Sequence, residues 1–200
     1  MTSSADTDRW ARLIRLLRPI HDQAVATARR LSRSVHDGDD LYQEAVLRAY
    51  HKLSGLREES RFRSWFFAVL LSKHRSWVRR PRRDGVSIEG TLGGRDEPVG
   101  QDGTEGEEER RRAERAARAL SGLAPVQREA IVLHDIEGFS VEEVADMQRV
   151  TPSAVKSRLA RGREQLRRFY LRCTRESDAS QLETLPAGTM AWPAKERSRE

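Results

Sequence analysis

A single cysteine, Cys173, is all the thiol chemistry this 200-residue chain has. No internal disulfide can form, and the pattern suits a reducing cytoplasm. Histidine is sparse as well. His21, His36, His51, His74 and His134 are scattered, with neither the His-Glu-x-x-His nor the Cys-x-x-Cys spacing that holds a metal. No Gly-x-x-x-x-Gly-Lys loop is there to cradle nucleotide phosphates. No metal, no cofactor and no catalytic residue are therefore expected, and the chain does not read as an enzyme. No apolar run approaches the roughly 20 residues of a membrane span, and the polar N-terminus is unlike a signal peptide. A cytoplasmic protein without membrane insertion is the expectation. No stretch alternates apolar and polar residues at period two, so strands are not expected and the fold class is all-α.

Positive charge is abundant but segregated. The net charge is +6 and the pI about 10.1, yet 31 acidic residues accompany 37 basic ones. Arginine outnumbers lysine 33 to 4, which suits bidentate contacts to phosphate and guanine and also fits a GC-rich genome.

The stretch Ser140 to Leu166 carries the clearest local signals. Ser140 followed by Glu143 is a capping box, and Val141, Val144, Ala145 and Gln148 give two helical turns. Thr151 can cap a second helix that opens on Pro152, where a missing N–H costs nothing. Val155, Leu159, Gly162 and Leu166 share its buried face; Lys156, Arg163 and Arg167 lie on another, beside Ser153, Ser157 and Arg161. Two helices, a tight turn and a basic second helix describe a helix-turn-helix, against the plainer alternative of a helical hairpin with a solvated basic face.

Upstream, the stripe Trp10, Leu13, Leu17, Ile20, Ala24, Ala28, Leu31 is interrupted by Pro19, which should kink or divide the helix. A second stripe, Tyr42, Val46, Ala49, Leu53 and Leu56, follows the acidic cluster Asp37-Gly38-Asp39-Asp40. A third helix covers about Arg61 to Arg80, with Phe62, Phe66, Val69 and Trp77 on one side. Phe66 and Trp77 are expected in the core rather than as base-stacking platforms. Residues 84–109 hold seven of the thirteen glycines and an acidic block. They read as a flexible acidic linker. Ala113, Ala116, Leu120 and Leu123 then resume a helical stripe, Pro125 starts another helix through Val126, Ala130 and Leu133, and Gly138 can end it. The expected organisation is an N-terminal helical module (8–83), the linker (84–109), a C-terminal helix-turn-helix module (110–173) and a disordered tail (174–200).

The run Asp37-Gly38-Asp39-Asp40-Leu41-Tyr42-Gln43-Glu44-Ala45-Val46-Leu47-Arg48-Ala49-Tyr50 resembles the signature of the sigma-70 family, extracytoplasmic-function (ECF) group. So does Arg61-Phe62-Arg63-Ser64-Trp65-Phe66. Leu123-Ala124-Pro125 and residues 140–166 resemble the family's C-terminal region in order and spacing. The resemblance implies a dissociable subunit of bacterial RNA polymerase that confers promoter specificity, binds core polymerase and promoter DNA, and can have an anti-sigma protein as a further partner. It implies docking on polymerase through Asp39, Asp40, Leu41, Gln43, Glu44, Leu47 and Arg48. For the carboxylates a simpler role at a helix N-terminus stays open. It implies strand separation at the minus-ten element by the third helix, whose candidate contacts are Arg61, Arg63, Ser72, Lys73, Arg75, Arg79 and Arg80. A basic track of this kind fits the backbone of single-stranded DNA. The minus-thirty-five element would be met by Arg149, Ser153, Lys156, Ser157, Arg158, Arg161 and Arg163, with base contacts from Ser153, Lys156, Ser157 and Arg161 and backbone contacts from Arg149, Arg158 and Arg163.

Two departures from the family pattern stand out. Leu70-Leu71-Ser72 replaces an Ala-Arg-Asn-like run, so the minus-ten preference does not carry over. Arg149 replaces the usual turn glycine, so the turn either holds a strained residue or has changed shape. Rival readings are a conventional helix-turn-helix regulator, which leaves residues 37–83 without a task, and a polymerase-binding sequestering protein, which leaves the basic track unused.

Overall fold

The structure is a computed structural model in which residues 4–79 and 104–183 are described, with side chains over 6–79 and 106–174. Helix α1 (Ser4–Leu17) ends in a single 3-10 turn, Arg18–Ile20, with Pro19 at its start, and α2 (His21–Leu31) follows directly. The proline thus divides the first stripe. Helix α3 (Val35–Lys52) begins earlier than the apolar stripe suggested: the Ser34 hydroxyl accepts from the Asp37 N–H, so the acidic cluster lies inside the helix. Gly38 explains how α3 sits so close to α2. A Cβ there would lie 2.6 Å from the Arg29 Cα, a distance no side chain tolerates. Arg29 then donates to both oxygens of Asp39 at 2.8 and 3.1 Å across the same crossing.

Helix α4 (Phe62–Arg79) is buried on more than one side: Phe62, Phe66, Phe67, Val69, Leu70, Leu71 and His74 are all inside. A single apolar stripe would not need this many. The α1–α3 bundle covers part of α4, and the C-terminal helices cover another part. Helix α5 (Thr104–Ser121) departs from expectation. Ala113 and Ala116 are exposed, while Ala119 is buried, Leu120 packs against the core and Leu123, just beyond the helix, lies in it. Its polar turns carry charge pairs at three- and four-residue spacing, among them Arg111 with Glu107 at 3.0 Å.

Helix α6 (Pro125–Ile131) passes into a widened turn, Val132–Ile136, and stops at Gly138, whose φ of +75° only glycine adopts without cost. Val126, placed on the inner stripe by spacing, faces out. Helix α7 (Val141–Gln148) carries the capping box: Glu143 N–H to the Ser140 hydroxyl at 3.1 Å, and Ser140 N–H to the Glu143 carboxylate at 2.9 Å. Helix α8 (Pro152–Glu183) is capped by Thr151 through the Ala154 N–H. Gly162 lets it approach α6, since a Cβ there would lie 3.0 Å from Ile131 Cγ1.

The described residues up to Leu166 form one compact unit and those from Arg167 onward a second. The two modules separated by the linker in the sequence share one core cluster within the first unit. In the second unit α8 continues past Thr174 to Glu183, with the rings of Phe169 and Tyr170 edge to face. Cys173 is in no disulfide. No helix among the described residues is long and apolar enough to cross a membrane, and no metal-ligating cluster occurs among them.

Between α7 and α8 the chain keeps the helix-turn-helix shape at the expense of a strained residue. Arg149 has φ 53° and ψ 50°, and the turn is closed by Val150 N–H to Ala145 O at 3.0 Å. A non-glycine residue in this region costs roughly 1–2 kcal/mol, part of which glycine returns through its freer unfolded chain. Arg149→Gly is expected to raise unfolding free energy by about 1 kcal/mol. A urea midpoint unchanged or lowered would show that the Arg149 side chain contributes more than its backbone costs.

Candidate nucleic-acid interface

The capped start of α8 presents Ser153, Lys156, Ser157 and Arg161 outward, all exposed, with Val155 and Leu159 fixing the opposite face in the core. Arg149 is exposed at the turn. Two of the expected backbone contacts are placed otherwise. Arg158 donates to Gln148 Oε1 at 2.6 Å, and Arg163 pairs with Asp135 through both ends of its guanidinium. Arg158 is held through one Nη, whereas the fork of Arg163 is taken up by Asp135 and ties α8 to the widened turn after α6.

On α3 the outer strip is real but smaller than the expected set. Glu44, Leu47, Arg48, His51 and Lys52, with Lys73 from α4, line a shallow groove, and Leu47 is 53% exposed. Gln43 is exposed beside it. Leu41 is not part of this surface. It is 0% exposed, a core residue on the Gly38–Ala45–Ala49 face, because α3 packs on both α2 and α4. Asp39 is held by Arg29, whose guanidinium keeps its carboxyl below the usual range, and Asp40 lies 3.6 Å from His36.

The third helix shows the largest difference. Ser72 and Arg79 are exposed, Arg61 pairs with Glu58 at 2.8 Å, and Lys73 with Glu44 at 2.8 Å. Arg80 lies outside the described residues. Phe66 is core, and Trp77 is half-buried with its indole N–H on Glu44 at 3.2 Å. Arg63 and Arg75 do not form an open track. Arg63 donates to the Glu137 carbonyl at 2.6 Å and lies 3.9 Å over the Phe139 ring. Arg75 donates to Glu129 at 2.8 and 3.1 Å and to the Met147 and Gln148 carbonyls. Glu129 is buried and also lies 3.1 Å from His74 Nδ1. A second buried carboxylate, Glu137, accepts from Thr27 at 2.6 Å and Arg30 at 2.9 Å. Ser64 donates to Glu143 at 2.8 Å, and Arg128 reaches the Leu31 carbonyl at the end of α2.

Two family models match this chain: sigma-70 region 2 over residues 16–84 and sigma-70 region 4 over residues 113–166. Among similar proteins, the ECF RNA polymerase sigma factor SigM of Mycobacterium tuberculosis is 32% identical over 163 residues, covering 81% of this chain and 78% of SigM. SigE of Mycolicibacterium smegmatis is 32% identical over 82% of this chain, which spans 64% of SigE. Among solved structures, the sigma factor RpoE in complex with the anti-sigma factor NepR from Bartonella quintana aligns with a TM-score of 0.63 at 28% identity, over 77% of this chain and 93% of that one. CnrH, solved with the cytosolic domain of CnrY, has the same fold at 24% identity and TM-score 0.59, over 83% of this chain and 92% of CnrH.

The chain belongs to the sigma-70 family, in its ECF group. The region-2 match covers α2–α4 and the last residues of α1, and the region-4 match runs from within α5 through α6 and α7 into α8. The glutamates that join them, Glu129 and Glu137, escape any motif search. One signal was present: Glu129 falls four residues before Leu133 and next to Ala130, a charged residue on an inward face. Such a residue is buried only when paired.

Burial alone would push the Glu129 carboxyl up, but the hydrogen bonds with His74 and Arg75 outweigh it and hold the group below the ordinary glutamate range. A carboxyl lowered on folding adds stability above its unfolded value of about 4.3, and that stability is lost as pH falls through the folded value. Helicity followed from pH 7 to 3 should therefore fall off below about pH 4, and Glu129→Gln should flatten that limb. Identical acid limbs in the two proteins would show that Glu129 takes up no proton on unfolding.

Proposed function

We propose that this chain is a cytoplasmic sigma factor that binds core RNA polymerase and directs promoter recognition, promoter melting and transcription initiation, with no catalytic activity of its own. The observation that carries this reading is the order of the two regions on one chain: a region-2 module with an exposed polar and apolar strip, then a region-4 helix-turn-helix with an exposed polar and basic N-terminal row. A conventional regulator would need only the second. Docking is assigned to Asp39, Asp40, Gln43, Glu44, Leu47 and Arg48. Minus-ten contacts go to Arg61, Arg63, Ser72, Lys73, Arg75, Arg79 and Arg80, and minus-thirty-five contacts to Arg149, Ser153, Lys156, Ser157 and Arg161. An anti-sigma protein is a further partner that fits the family.

The deciding experiment is transcription from candidate promoters by purified core polymerase with and without the chain. Promoter-dependent transcript that needs the chain supports the reading. Core binding without transcript favours a sequestering protein, and DNA binding without core binding a conventional regulator. Leu47→Glu is expected to weaken core association at least about tenfold while leaving circular dichroism unchanged, since it places a charge where an apolar contact is lost. Unaltered affinity would remove Leu47 from the docking surface.

A further inference from the structure

Glu44 belongs to the strip on α3 assigned to docking, yet its carboxylate is engaged by α4. Its Oε2 accepts from Lys73 Nζ at 2.8 Å and from the Trp77 indole N–H at 3.2 Å. Lys73 and Trp77 are four residues apart and so share one side of α4. That side is a border: His74, next to Lys73, is buried, whereas Ser72, Ser76 and Arg79 are exposed. On α3, Glu44 stands beside the buried Ala45 and emerges at the edge of the core, where it lines the groove with Leu47, Arg48 and Lys73. Proceeding on the sigma-factor reading above, we propose that Glu44 is a positioning residue for promoter opening. It holds Lys73 and Trp77 in the places from which α4 meets the minus-ten strand, a role separate from any contact it makes in docking.

Stability does not account for this arrangement. The Lys73 and Glu44 side chains are 25% and 40% exposed, and an ion pair so open contributes little to folding. Placement is the larger effect. A lysine ammonium carries three donors on a flexible four-carbon stem. One donor on Glu44 fixes the stem and leaves two for a phosphate, so the entropy of ordering the side chain is met before DNA arrives. An indole has a single N–H donor. With that donor on the same oxygen, the half-buried ring of Trp77 cannot turn without breaking the bond. One carboxylate oxygen thus sets two side chains a helical turn apart, both of them on the helix assigned to strand separation. A loss at Glu44 should therefore reach the promoter even where docking is complete.

Promoter opening by holoenzyme at saturating core polymerase, followed by permanganate reactivity of unpaired thymines, separates the two roles. A docking defect disappears once every chain is bound; a positioning defect does not. Glu44→Ala is expected to slow opening at least about fivefold under those conditions. Glu44→Gln keeps an acceptor oxygen for both donors and should open near the parent rate. The salt slope of opening should fall by about 0.7 unit in Glu44→Ala and in Lys73→Ala alike, the share of one single-strand phosphate contact, which a loss of stability would not produce. In a chain already carrying Lys73→Ala and Trp77→Phe, Glu44→Ala should add nothing. Should Glu44→Ala lose helical content, Glu44→Met, which keeps the stem without a carboxylate, takes its place. A deficit that vanishes at saturating core, a penalty that persists in the Lys73→Ala, Trp77→Phe chain, or a Glu44→Gln variant as slow as Glu44→Ala would overturn the proposal. A parent chain that opens no promoter with core would overturn the sigma-factor reading and the positioning role with it; the two failures fall in different arms.

Discussion

Phe139→Ala is expected to lower unfolding free energy by about 3–5 kcal/mol, the range for deleting a fully buried aromatic ring. Phe139 is 1% exposed, in the short segment between Gly138 and the capping box. Its ring centroid lies 5.0 Å from Phe67 of α4, and Arg63 lies on it at 3.9 Å. The ring therefore fills space at the joint between the two modules, and its loss removes both an aromatic pair and a cation–π contact. Two probes make the result diagnostic. Trp10, Trp65 and Trp77 all lie in the N-terminal module, so in a Trp192→Phe background fluorescence follows that module while circular dichroism follows every helix. If residues 1–166 unfold as one unit, both urea midpoints fall together. A fluorescence midpoint that stays put while circular dichroism shifts would mean that the modules unfold separately and that the Phe67–Phe139 contact couples nothing.

That coupling is what the sequence conceals. Signals that act over three or four residues are legible: the Ser140–Glu143 box, the Thr151–Pro152 start, the division at Pro19 and the positive φ at Gly138 all follow from backbone chemistry within one turn. So does the face of α8 that carries Lys156, because Val155 and Leu159 fix the helix's rotation. What is not legible depends on how separate helices pack. Leu41 scans as part of an outer strip, and only the crossing of α2 over Gly38 turns it inward. Arg63 and Arg75 scan as a cationic track, and only the approach of α6 and α7 turns them into half-buried donors. The apolar content of α4 held the clue. Phe67, Leu70 and Leu71 lie off the Phe62–Phe66 face, and a helix apolar on several faces needs more than one neighbour. The glycine-rich segment drew attention to separation, whereas the buried charges record contact.

At the promoter the largest effect is expected from Lys156→Ala, measured on polymerase holoenzyme. Lys156 sits one turn into α8, exposed, between Ser153 and Ser157, at the depth from which a recognition helix reaches base edges in the major groove. Losing a base contact costs about 1–3 kcal/mol, so affinity for the preferred minus-thirty-five element should fall by about 5- to 150-fold. On an element already mutated at the contacted base the loss should be much smaller, and discrimination between the two narrows. Arg161→Ala should behave differently: exposed further along the helix, it is placed for backbone. All sequences should weaken alike, and the salt slope should fall by about one unit. Arg163→Ala separates structure from binding. Its guanidinium is engaged by Asp135, so stability should drop by at most about 1 kcal/mol with the salt slope unchanged. Should Arg163→Ala lower the slope instead, the pair with Asp135 must break on DNA, and Arg163 takes the phosphate contact that its place in the sequence first suggested. Should Lys156→Ala weaken every promoter equally, Lys156 is a phosphate clamp and base reading passes to Ser153 and Ser157.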